Sequence, residues 1–164
     1  MRNDSVEHEG EAPSAKLPPA WFMHAFWRVH RLLNRLSGGR FLWTERSKRG
    51  WGAMRLTTVG RTTGRDRTVI IGYLEDGPDL VAMAMNGWEE GDPAWWRNLE
   101  AHPDAVVQLS RRRPRPVHAR QAVGEERERL WQRWAVVDKD LDQYAAMRTN
   151  DTPIVVFEPR DDAA

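Results

Sequence analysis

The 164-residue chain has no cysteine, which excludes disulfides, thiolate metal sites and a cysteine nucleophile. Histidine is scarce, and His8, His24, His30, His102 and His118 show neither HxxxH nor HExxH spacing, so no metal centre is expected. The GxSxG turn of an exposed serine nucleophile is missing, and the GxxxxGK[ST] phosphate loop fails at Arg65; nothing points to a hydrolase. There is no signal peptide and no apolar run of spanning length. The expected location is therefore the cytoplasm, with attachment to the inner face of the membrane as the other option. A net charge of +1 is too balanced for a strongly basic face. The run Arg111-Arg112-Arg113-Pro114-Arg115 reads as a solvated hairpin tip, so no nucleic-acid partner is expected. Lysine is also nearly missing: all but three (Lys16, Lys48, Lys139) of the 25 basic residues are arginine, the side chain suited to gripping planar anions.

What is present divides the chain into four stretches. Residues 1–18 are polar and acidic, with Asp4, Glu7, Glu9 and Glu11, and are expected to be disordered. Over 19–39, Phe22, Phe26, Val29, Leu33 and Leu36 recur at helical spacing between Pro18-Pro19 and Ser37-Gly38-Gly39. His24, Arg28, Arg31 and Arg35 follow the same spacing about 200° around the helix, on the opposite face. Such a helix either docks on its own domain or lies on an anionic membrane surface, so residues 19–36 are a candidate for peripheral membrane contact. Residues 40–160 form the main domain, and 161–164 a short tail.

Within the main domain the pattern turns β-rich at Arg55. Strands are expected at Met54–Val59, Arg67–Leu74, Leu80–Met85, Ala105–Leu109, Val117–Val123 and Ile154–Phe157. Asp92-Pro93 reads as the N-cap and first residue of a helix reaching Ala101. A second helix starts around Glu125 and Glu126 with Leu130, Trp134 and Val137 on one face, and a third covers Leu141–Met147. Short antiparallel strands with helices inserted between them predict a mainly β, α+β barrel with flanking helices.

The densest cluster of chemistry lies in the first hairpin. Its turn carries Gly60 and Gly64, the arginines Arg61, Arg65 and Arg67, and the hydroxyls of Thr62 and Thr63. Glycine lets backbone N–H groups approach a ligand, and arginine forks match phosphate or carboxylate oxygens. The turn is suited to an anion.

Three segments in register extend this reading: the turn Thr57-Thr58-Val59-Gly60-Arg61-Thr62-Thr63-Gly64-Arg65-Asp66-Arg67, the helix Asp92-Pro93-Ala94-Trp95-Trp96-Arg97-Asn98-Leu99-Glu100-Ala101-His102-Pro103, and the closing strand Thr152-Pro153-Ile154-Val155-Val156-Phe157-Glu158-Pro159. Together they resemble the deazaflavin-dependent nitroreductase family, with its TTxGRxxGxxR, PxWxxNLxAxP and PIVVxEP motifs. The resemblance runs from about residue 53 to residue 160. It implies a split β-barrel like that of flavin-mononucleotide-binding oxidases, and coenzyme F-420 as hydride donor. By resemblance, the coenzyme's phosphate and acidic tail meet Gly60, Arg61, Thr62, Thr63, Gly64, Arg65 and Arg67. Ala84, Met85, Asn86 and Gly87 pass the ring, and Trp95, Trp96 and Asn98 flank the groove, although the spacing of Trp95 and Leu99 also fits a core role for Trp95.

The resemblance places Tyr144 at the acceptor pocket as the catalytic proton donor. The acceptor implied is small and quinone-like, nitroaromatic or otherwise electrophilic. Some relatives carry a lysine in place of Thr62 and a Ser-Lys pair in place of Met85-Asn86, so a looser grip on the anionic tail is expected here. Leu141 and Met147 stand where relatives carry aromatics. An FMN-dependent enzyme on the same barrel and a non-catalytic carrier of lipid or another small molecule remain the alternatives. The sequence leaves the oligomeric state open.

Overall fold

The structure is a computed structural model, and it describes residues 50–87 and 90–160. The acidic tail, the amphipathic 19–39 segment and its membrane option lie outside the described residues, as does the 161–164 tail.

Six strands run in the order β1 (Gly52–Val59), β2 (Asp66–Asp76), β3 (Asp79–Met83), β4 (Asp104–Gln108), β5 (Arg115–Gln121) and β6 (Ile154–Pro159). Helix α1 (Ala94–Ala101) separates β3 from β4, and α2 (Gly124–Val137) and α3 (Leu141–Ala145) separate β5 from β6. Every neighbouring pair is antiparallel, and the sheet closes on itself in the order β1-β2-β3-β6-β5-β4. Closure leaves no sheet edge to pair with another chain.

Strand alternation sorts the side chains into two apolar bodies. Inward-facing Met54, Leu56, Tyr73, Leu80, Ala82, Val107, Val117, Ala119, Val155 and Phe157 fill the barrel, and Trp95, Trp96 and Leu99 of α1 join them. Trp95 sits 6.5 Å from Trp96 in an edge-on arrangement and 6.3 Å from Phe157, within the usual range for aromatic pairs. Burying each of these large side chains stabilises the fold by about 1.5–3 kcal/mol. The outer face of β2, β3 and β6 carries Leu74, Val81, Met83, Ile154 and Val156, covered by Leu130, Trp131 and Trp134 of α2 and Leu141 of α3.

Two glycines make this packing possible. A Cβ on Gly52 would lie 2.4 Å from the Tyr73 ring, its partner in the β1–β2 register, and one on Gly72 would lie 3.2 Å from the Trp51 ring. Arginines fasten α2 to the barrel. Arg120 of β5 grips both oxygens of Glu126 and also Glu158 of β6, at 2.6–2.8 Å. Arg129 and Arg133 both reach Asp76 at the end of β2.

Several boundaries differ from the sequence reading. β3 stops at Met83 rather than Met85, although the Ala84 N–H still donates to the Pro153 carbonyl at 2.8 Å. β5 stops at Gln121 because Val123 is the N-cap of α2, and α3 ends at Ala145. Helix α1 begins at Ala94 with Pro93 as N-cap and no side-chain cap. Asp92 does not cap it, because its carboxylate accepts from Arg148, 56 residues later in the chain.

Candidate functional site

Strand direction decides which loops share an end of the barrel. β1 and β3 both run antiparallel to β2, so the β1–β2 turn and the segment after β3 emerge at the same end. β6 starts there, opposite the end of β3 (Met83 pairs with Ile154), and β4 starts there, opposite the end of β1 (Thr58 pairs with Ala105). The segments that lead into them, α1 and 146–153, therefore arrive at this end too. The arginine run 111–113 lies in the β4–β5 turn at the other end, where Arg115 donates to the Pro78 carbonyl of the β2–β3 turn.

The anion turn is preformed. Its neck closes with the Gly60 N–H on the Arg65 carbonyl (2.8 Å) and the Gly64 N–H on the Gly60 carbonyl (2.7 Å). Gly64 has φ +63°, a left-handed value that favours glycine. A Cβ on Gly60 would approach the Arg65 carbonyl to 3.0 Å. Arg61, Thr62, Thr63, Gly64, Arg65 and Arg67 are all exposed. Thr63 Oγ1 accepts weakly from the Arg65 N–H (3.4 Å) and the Arg67 guanidinium (3.5 Å). Three guanidinium groups thus stand in solvent around a turn with no carboxylate bridged to them among the described ion pairs.

Asn98 ties this turn to the core. It is 5% exposed, and its side-chain oxygen accepts from both the backbone N–H and the guanidinium of Arg61, each at 3.2 Å. Its nitrogen donates to Thr58 Oγ1 at 3.1 Å. Arginine can only donate, so the amide orientation follows from the partners. Asn98 is therefore a tether, satisfied within the protein, and the sequence motif alone did not distinguish that role from direct ligand contact.

Other predicted site residues divide by burial. Trp95 and Trp96 belong to the barrel interior, 7% and 5% exposed. Ala84 is fully buried, whereas Met85, Asn86 and Gly87 are exposed, with Gly87 at φ +63°. Tyr144 on α3 is half-buried against the outer cluster to which Met83 and Ile154 also belong. Leu141 is fully buried in that cluster, so it does not line a pocket, while Met147 is exposed. A groove of about 450 Å³ runs between α2 and residues 145–152, lined by Arg127, Trp131, Asp142, Ala145, Arg148 and Thr152; none of the anion-turn residues borders it. Among the described residues there is no cluster of three or more metal-ligating side chains, and no helix is long and apolar enough to cross a membrane.

With this geometry in place, comparison with known proteins is decisive. A family model described as F420H(2)-dependent quinone reductase matches residues 29–159. The chain belongs to that family. It is accordingly an oxidoreductase of a deazaflavin-dependent family. The protein Rv3178 of Mycobacterium tuberculosis (strain ATCC 25618 / H37Rv) is 30% identical over 100 residues, covering 61% of this chain and 83% of that one. The F420H(2)-dependent quinone reductase Rv1261c of the same organism is 27% identical over 140 residues, 81% of this chain and 89% of its own length. Among solved structures, an F420-H2 dependent reductase (FDR-A) superposes with a TM-score of 0.58 at 26% identity, covering 65% of this chain and 93% of that one. A domain-swapped dimer at 23% identity, with a TM-score of 0.62 over 86% of this chain and all of that chain, shows the same fold.

Proposed function

We propose that this protein binds reduced coenzyme F-420 at the α1 end of the barrel and passes its hydride to a small quinone. The observation that carries the reading is the convergence, at one end, of the arginine turn 60–67, the segment 84–87 and the segment 146–153 that follows Tyr144. The family name supplies donor and acceptor class; the residues supply the fit. Preformed glycine corners and three solvent-facing guanidinium groups suit a phosphate with an acidic extension, because each charge-assisted hydrogen bond contributes about 1.5–3 kcal/mol.

Bound coenzyme supplies a hydride at a ring carbon. The chain's own task is placement and proton supply. Arg61, Arg65 and Arg67 hold the anionic end, with Asn98 fixing Arg61. Met85, Asn86 and Gly87, exposed and turned by the positive φ of Gly87, would hold the ring. Trp95 and Trp96 act from below as the packed floor of the barrel end. Reducing a quinone to its quinol by hydride requires one added proton, and the Tyr144 hydroxyl is the proposed donor to the developing oxyanion. Two-electron delivery needs the acceptor within about 3–3.5 Å of the donor carbon.

Titration of the purified protein with F-420 and with FMN, followed by fluorescence, tests the reading. Saturable F-420 binding that is tighter than FMN binding is expected. FMN bound more tightly than F-420 would overturn it in favour of a flavin enzyme on the same barrel. F-420 binding without turnover of any quinone would leave a carrier.

A further inference from the structure

The segment that would carry the ring and the segment that follows Tyr144 are joined by a buried arginine. Arg148 lies one turn beyond Tyr144, with its N–H on the Ala145 carbonyl (3.1 Å) and the Met147 N–H on the Tyr144 carbonyl (3.2 Å). Its side chain has no exposed surface. One terminal nitrogen donates to Thr152 Oγ1 at 2.7 Å. The other donates to the Gly91 carbonyl at 3.3 Å and to Asp92 Oδ1 at 3.2 Å. The next residue continues the contact: the Thr149 N–H and hydroxyl both donate to Glu90 Oε1, at 2.7 and 2.9 Å. Ala84 is held to the same stretch through its N–H on the Pro153 carbonyl. Residues 148–153 therefore hold both Ala84 and residues 90–92.

Two features say this grip has a purpose beyond filling space. A fully buried guanidinium is costly to desolvate, and replacing a buried ion pair by apolar side chains is often neutral or stabilising. Asp92 also forgoes the N-cap of α1, worth about 1 kcal/mol, to face Arg148 instead. A planar fork reaches three acceptors on two segments at once, which an ammonium cannot do in fixed geometry. Because α1 starts two residues after Asp92 and carries Asn98, the anion turn and the Tyr144 segment are both referenced to the same helix.

We infer that Arg148 is a positioning residue that, by holding residues 90–92, sets the gap between the ring side of the site at 84–87 and the acceptor side at Tyr144. This rests on the reading of the site given above. It concerns the distance between donor and acceptor, so its signature lies in turnover rather than in coenzyme affinity.

The test uses the full chain with Arg148→Lys and, as a variant at an exposed position that does not threaten folding, Glu90→Ala. Amide hydrogen exchange by mass spectrometry, F-420 titration, and steady-state kinetics with a soluble naphthoquinone are measured on each. In Arg148→Lys, exchange over 84–92 and 146–153 should accelerate about tenfold while the barrel strands keep their protection. F-420 affinity should stay within about threefold, with kcat lowered about tenfold and KM for the quinone raised. Glu90→Ala should show the same pattern at about threefold, and it alone carries the test if Arg148→Lys does not fold. Unchanged exchange in both segments, kinetic constants within about twofold of the parent, or a loss of F-420 affinity in proportion to the loss of kcat overturns the inference. If the parent protein fails to bind F-420, the functional reading falls, while the exchange arm still decides whether Arg148 joins the two segments.

Discussion

Replacing Asn98 is the sharpest probe of how the anion turn is held. Asn98→Ala removes three hydrogen bonds: two accepted from Arg61 and one donated to Thr58. A neutral bond contributes about 1 kcal/mol and one to a charged group about 1.5–3. Arg61 is exposed, so water replaces its guanidinium bond and that part falls to the low end. The net cost is about 2–3 kcal/mol. For a chain of this size each kcal/mol lowers Tm by about 2–4 °C, so a drop of about 4–12 °C is expected. Asn98→Asp makes a second comparison. It keeps the acceptor for Arg61, and the Thr58 hydroxyl can turn to donate, so the tether persists. However, it adds a negative charge beside the turn. Asn98→Asp should therefore lose less Tm than Asn98→Ala yet bind F-420 about tenfold more weakly than the parent. Thermal unfolding followed by circular dichroism, paired with fluorescence titration, reads both quantities. A Tm for Asn98→Ala within about 2 °C of the parent would refute the tether.

Four further outcomes follow from the same geometry. Arg61→Ala and Arg67→Ala should each weaken F-420 binding about tenfold or more while the fold persists; unchanged dissociation constants in both would remove the turn from the site. Tyr144→Phe should lower quinone turnover and leave F-420 affinity nearly intact, and full turnover with every quinone the parent accepts would end its role as proton donor. Gly52→Ala forces a Cβ to 2.4 Å from the Tyr73 ring, so it should cost about 1–3 kcal/mol in a denaturant titration; a parental midpoint would contradict that packing. Hydrogen bonding from Arg129 holds the Asp76 carboxyl below its ordinary value of 3.8, and bonding from Arg120 holds Glu126 below 4.5. Depressed folded-state values mean this stabilisation is present above the ordinary carboxylate range and is lost as pH falls through the lowered values. Tm should therefore fall steeply below about pH 4, and Arg129→Ala, with less to lose, should flatten that fall; parallel profiles for parent and variant would refute the assignment.

Much of the barrel was legible because its signals are local. β-branched runs around Gly60 and Gly64 define the first hairpin, and the alternation that marks β1 also selects Met54 and Leu56 for the interior. Where local signals misled, a distant partner had the stronger claim. Asp92 before Pro93 has the form of an N-cap, but a buried guanidinium 56 residues later outbids the helix for its carboxylate. Glu126, in the first turn of α2, is gripped by Arg120 from β5, which nothing local to it signals. Arg148, between Met147 and Thr149 in a polar stretch, has no sequence signal at all, since burial of a lone arginine depends on what the chain brings around it. Trp95 shows the limit of motif reading: its spacing fits both a groove wall and a core side chain, and the structure seats it against Phe157 in the interior.

Pairing with carboxylates separates the two uses of arginine in this protein. The anion-turn guanidinium groups cost little to keep, because water solvates them until a ligand displaces it. Those that hold the architecture, Arg120 against Glu126 and Glu158, and Arg148 against Asp92, are paired within the chain and are not offered to a ligand. A surface turn alone would bind an anion loosely, since each long side chain must be ordered on binding. Here the turn is anchored through Asn98 to α1, α1 is seated in the barrel by Trp95, Trp96 and Leu99, and Asp92 at its start is held by Arg148. On the proposed reading, the coenzyme's anionic end and the acceptor segment would thereby be referenced to one helix. Hydride transfer depends on that arrangement, because displacing donor from acceptor by about 1 Å can cost about a hundredfold in rate.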